Sequence, residues 1–64
     1  MNVLLARIKK QMTQKELATL VGIGPAKLVE AEKGNYENLR FKEMKKIAQI
    51  LDSTVQELFF SDEE

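Results

Sequence analysis

Apolar residues recur at three- and four-residue spacing along most of the chain, the period of an amphipathic helix. The pattern predicts five short helices. The first runs from Val3 to about Gln11, with Asn2 as N-cap and Val3, Leu4, Ala6 and Ile8 available for an inner face. The second opens at Thr13-Gln14-Lys15-Glu16, a capping box in which the Thr13 hydroxyl and the Glu16 carboxylate each accept from the other residue's backbone N–H. Leu17, Ala18, Leu20 and Val21 follow, and Gly22 stops this helix at positive φ. After Ile23-Gly24, Pro25 suits the first position of a third helix, where its missing N–H would have no partner anyway. That helix extends to about Lys33, with Leu28, Ala31 and Glu32 on one side and Lys27, Glu30 and Lys33 more exposed; Gly34 ends it. A polar loop from Asn35 to Arg40, containing Tyr36 and Leu39, leads into the stripe Phe41, Met44, Ile47, Ala48 and Leu51, with Lys42, Lys45 and Lys46 facing away. Asp52-Ser53 breaks this fourth helix. Thr54-Val55-Gln56-Glu57 reads as a second capping box, opening a last helix through Leu58, Phe59 and Phe60. No hairpin signal and no internal repeat interrupts the series.

A chain of 64 residues is one small domain with a modest core. We read residues 1–60 as that domain and 61–64 as a frayed, disordered acidic end. Cysteine and histidine are both absent, which removes disulfides, thiolate metal sites, the commonest metal ligand and the commonest general base. The acids have no pocket-forming context, and there is no glycine-rich phosphate loop. The expectation is a non-enzyme with no cofactor, no metal and no small-molecule ligand. No apolar run is long enough to span a membrane, and the first residues lack a signal-peptide pattern, so a cytoplasmic location is expected.

The zero net charge conceals a split. Residues 1–46 carry all ten basic side chains and five acids, a net +5, while residues 47–64 carry five acids and no base. One end of the chain thus offers a basic working surface, unless the charges are only an ordinary solvated shell.

Helices two and three are joined by about three residues containing glycine, the helix-turn-helix arrangement. Ala18 is small where the two helices cross, Gly22 takes the tight turn, and Ile23 and Leu28 fill the angle from inside. The ordered series Thr13-Gln14-x-x-Leu17-Ala18-x-x-x-Gly22-Ile23, Leu28-x-x-x-Glu32-x-Gly34, Ile47-Ala48-x-x-Leu51 and Glu57-Leu58-Phe59 resembles the phage Cro/repressor-type (Xre-like) helix-turn-helix family. The resemblance covers Arg7 to Phe59. It implies an all-α, compact five-helix bundle of the phage-repressor type with a central helix-turn-helix. It also implies a transcriptional regulator, repressor-like, of the kind phages and mobile elements encode, with the third helix in the major groove of double-stranded DNA. Arg7 is expected to pair with Glu32, which would otherwise be an uncompensated charge on an inner face.

Four elements are then candidates for DNA contact. At the start of helix two, Gln14 and Lys15 sit where backbone N–H groups attract a phosphate; family members use this glutamine on the backbone, and the alternative is a solvated helix residue. On helix three, Gly24, Pro25, Ala26, Lys27 and Glu30 occupy positions that read bases in the family. Here the sequence departs from the family, because Gly24, Pro25 and Ala26 offer no side-chain hydrogen bond. Ala26 can pack on a thymine methyl, Lys27 can reach guanine or a phosphate, and Glu30 can accept from cytosine. In the following loop, Lys33, Asn35, Tyr36 and Asn38 can bond phosphates, Tyr36 being equally suited to cap the core edge. Arg40, directly before Phe41, matches an arginine that enters the minor groove in some phage repressors, against the alternative of a snorkelling surface residue.

The family's operators are two-fold, which implies a homodimer. Phe60 lies some 100° around the last helix from the face shared by Val55, Leu58 and Phe59, and is the candidate anchor of that interface. The rival reading is a helix-turn-helix scaffold that serves as a protein-interaction module, such as an anti-repressor, with little or no DNA reading.

Overall fold

Three helix starts in this chain are marked by a side chain, of Asn2, Thr13 or Thr54, that accepts from an N–H the first turn leaves without a partner. The computed structural model describes residues 2–60, and the expectation for 61–64 lies outside them. Asn2 accepts from the Leu5 N–H at 2.9 Å and opens α1, Val3–Lys9. Thr13 and Glu16 form the full reciprocal box at the head of α2, Gln14–Val21, with bonds of 3.0 and 2.9 Å. Gly22 adopts φ 86°, and the N–H groups of Gly22 and Ile23 both return to the Ala18 carbonyl. Pro25 is the first residue of α3, Pro25–Glu32. After the loop come α4, Phe41–Ile50, and α5, Val55–Phe59. There is no strand among the described residues, so the chain is the all-α five-helix bundle that its pattern predicts.

The core gathers one or two turns from every helix: Val3 and Ala6 from α1, Leu17, Ala18 and Val21 from α2, Leu28 and Ala31 from α3, Met44, Ile47 and Ala48 from α4, and Leu58 and Phe59 from α5. Leu39 and Leu51 seal it from the connections. Helix α2 packs on both α3 and α4, so the helix-turn-helix is built onto the main body of the core.

Several details correct the sequence pattern. Ile8, expected inside, is 55% exposed, because at about 100° per residue it lies roughly 170° around α1 from the face that Val3 and Ala6 bury. Phe41, expected in the α4 stripe, is 62% exposed. At about 100° per residue it lies roughly 70° from the centre of the stripe formed by Met44, Ile47, Ala48 and Leu51. The Lys45 ammonium stands 5.4 Å over its ring instead. Helix α3 stops at Glu32, one residue short of the expected end. At α5 only half of the predicted box forms. Thr54 accepts from the Glu57 N–H at 3.1 Å, but the Glu57 carboxylate accepts from the Ser53 hydroxyl at 3.0 Å.

Candidate nucleic-acid interface

The helix-turn-helix is fixed from beneath by one buried ion pair. Arg7 Nε donates to Glu32 at 2.5 Å, and its Nη2 donates to the second oxygen at 3.3 Å. Arg7 Nη1 donates to the Met12 carbonyl at 2.8 Å, tying the α1–α2 connection to the same group. The two side chains are 12% and 5% exposed, so the expected pairing of Arg7 with Glu32 is present and largely out of water. Gln14 joins it, its amide donating to Glu32 at 2.8 Å. In the free protein the Gln14 side chain therefore braces α2 against α3. Lys15, its neighbour, is exposed.

Above this brace, α3 and the loop that follows it enclose a groove of about 650 Å³. Ala26, Lys27 and Glu30 form one wall; Asn35, Asn38 and Arg40 belong to the other. Six of the candidate contact residues thus share one concave face. Gly24, Pro25 and Lys33 are exposed and do not line it. Glu37 and Leu39 complete the lining and were not singled out by the sequence. Tyr36 is directed inward. Its ring packs edge-to-face on Phe59, with centroids 5.0 Å apart and planes at 83°, at the edge of the core.

The two charges that α3 brings to the groove, Lys27 and Glu30, are partnered. Glu30 accepts from the Asn35 amide at 3.1 Å and lies 3.8 Å from the Lys33 ammonium. Lys27 reaches Glu43 on α4, with 3.2 and 3.4 Å to the two carboxylate oxygens. Lys27 and Glu30 are accordingly half-buried, where the sequence pattern had them more exposed. Glu43 also accepts from the Arg40 backbone N–H at 3.0 Å. That bond, with Lys27 assisting and partial burial opposing, holds the Glu43 carboxyl below its ordinary value. Sequence reasoning missed Glu43. The signal was its place three residues after Arg40, the N-cap of α4, where an acid reaches back to the cap's backbone N–H.

A short tight turn between two crossed helices, a concave face beside the second of them and a basic residue at the head of the next helix define a helix-turn-helix protein. The comparisons agree: the Cro/C1-type HTH DNA-binding domain matches residues 3–61, and the chain belongs to that family. Two proteins of Archaeoglobus fulgidus, each named an uncharacterized HTH-type transcriptional regulator, are 41% and 40% identical over 58 residues, 91% of this chain and 80% and 81% of their own lengths. No solved structure matches. No helix among the described residues is long and apolar enough to cross a membrane.

Proposed function

We propose that the protein is a sequence-selective transcriptional regulator, repressor-like, that binds double-stranded DNA as a homodimer in the cytoplasm. In this reading α3 enters the major groove, Arg40 reaches the adjacent minor groove, and Gln14, Lys15, Lys33, Asn35 and Asn38 follow the phosphates. The observation that carries it is the single groove shared by Ala26, Lys27, Glu30, Asn35, Asn38 and Arg40. Family membership supplies the ligand class. Phosphate contacts orient the domain, and base edges are left to Ala26, Lys27 and Glu30.

The test is a gel-shift series on a random duplex pool at two salt concentrations. If a dimer neutralises about eight phosphates, log K falls with log[salt] at a slope near −7. Absence of binding to any duplex at low salt overturns the proposal in favour of the protein-interaction scaffold. One observation speaks for that rival: the charges of α3 are already partnered within the protein.

A further inference from the structure

Lys27 is the one side chain of α3 able to donate to a base, and it is held by a residue of another helix. We propose that Glu43 is the positioning residue of this surface: it aims Lys27 at a base edge and withholds it from the phosphates. The inference rests on the DNA-binding reading above and adds to it the origin of selectivity.

A lysine is a point charge on a flexible four-carbon stem with three donors. Left free beside DNA it settles on the nearest phosphate, a contact that carries no sequence information. Here the Glu43 carboxylate takes one direction of the ammonium, at 3.2 and 3.4 Å, and leaves the remaining N–H bonds for the groove that Lys27 lines. Glu43 can serve as a fixed anchor because it is itself fixed. It accepts from the Arg40 N–H at 3.0 Å, it lies in the first turn of α4, where the helix end favours an anion, and its side chain is 15% exposed. One carboxylate therefore sets both the lysine of α3 and the backbone that carries Arg40. Glu43 also lines the adjoining groove with Val21, Gly22 and Arg40, beside the turn of the helix-turn-helix. Electrostatically the pair is neutral, so Lys27 adds little to non-specific attraction. Affinity for any phosphate backbone is exchanged for discrimination at one base pair.

The experiment uses Glu43→Gln in the full chain, because glutamine keeps an oxygen able to accept from the Arg40 N–H while losing the charge that holds Lys27. The probe is a duplex selected from a random pool by the parent, together with its single-base variants and an unrelated duplex. The expected result is an affinity for the unrelated duplex about tenfold higher, with a salt slope steeper by about one per protomer. Discrimination at a single base pair falls by about fivefold or more. Adding Lys27→Ala to Glu43→Gln removes the gain on the unrelated duplex. A lower melting temperature with slope and discrimination unchanged is the mark of a merely structural Glu43 and overturns the proposal. Should Glu43→Gln fail to fold, Glu43→Asp reads the same coupling, because it keeps the charge while drawing the carboxylate back from Lys27. Loss of discrimination at one base pair supports the assignment, and an equal loss on every duplex overturns it. A parent that binds while Glu43→Gln matches it in every respect overturns the positioning role alone; a parent that binds no duplex at low salt overturns the DNA-binding reading and this inference with it.

Discussion

Arg7 and Glu32 stand 25 residues apart in the chain, and their side chains meet at 2.5 Å beneath the helix-turn-helix. The carboxylate takes two bonds from the guanidinium and a third from Gln14, while the guanidinium also holds the Met12 carbonyl. Three connections of the fold thus converge on one nearly dry charge pair. Removing Glu32 takes from Arg7 its ion-pair partner among the described residues and releases Gln14. Glu32→Ala should cost about 3–5 kcal/mol, as for other broken buried pairs. Small domains hold only about 5–15 kcal/mol in all. Urea unfolding followed by circular dichroism measures this, and a midpoint equal to the parent's refutes it.

Glu43 supplies a pH signature. Its carboxyl is held below the ordinary value of 4.5, chiefly by the Arg40 N–H and then by Lys27. A depressed folded-state value means that the charged form is favoured by folding. The stabilisation is complete above the unfolded-state value and is lost as pH falls through the folded one. The parent should therefore lose stability relative to Glu43→Gln on going from about pH 5 downward. Paired urea midpoints at stepped pH check it, and a constant difference between the two proteins contradicts it.

Roles within the DNA face separate by whether the loss depends on sequence. Lys15→Ala should weaken binding to all duplexes alike. Gln14→Ala should do the same and also lower the melting temperature, because its amide bonds Glu32. Glu30→Ala should change which bases are preferred, by about 1–3 kcal/mol where its contact is real. Binding measured across single-base variants of a selected duplex distinguishes the two patterns.

Arg40→Ala should weaken duplexes with A·T flanks more than those with G·C flanks, because a narrow A·T groove carries the more negative potential. Competition between two duplexes that differ only in their flanks gives the ratio. An unchanged ratio counts against minor-groove insertion.

Self-association should depend on Phe60. Leu58 and Phe59 are buried, Val55 is partly so, and Phe60 is 53% exposed at the end of α5. Phe60→Ser should shift sedimentation toward the monomer. A variant that dimerises like the parent moves the interface elsewhere, and a parent that stays monomeric on DNA removes it.

The elements legible in the sequence were those whose cause is local. Asn2, Thr13, Glu16, Gly22 and Pro25 act on backbone within a turn of themselves, so spacing alone reveals them. The Arg7–Glu32 pair came through the family resemblance and through the need of an inward acid for a partner. Lys27–Glu43 was hidden because it joins α3 to α4 across 16 residues, and no period in the chain encodes where two helices meet. Phe41 misled because a stripe drawn by spacing has edges, and it lies on one. Gln14 was placed on a helix end correctly, but which way its amide turns depends on Glu32, a residue 18 positions on.

The edge-to-face contact of Tyr36 with Phe59 gives the loop a stake in the far end of the chain. The segment that presents Asn35 and Asn38 is propped from behind by the residue just before Phe60. A helix of five residues has little stability of its own and is held by what it rests on. Stiffening α5 from outside therefore stiffens the loop, and a ligand that orders the loop repays α5 to the same extent, since such linkage runs equally in both directions. If two copies do meet at α5, assembly and DNA affinity share one lever, and concentration becomes an input to the switch.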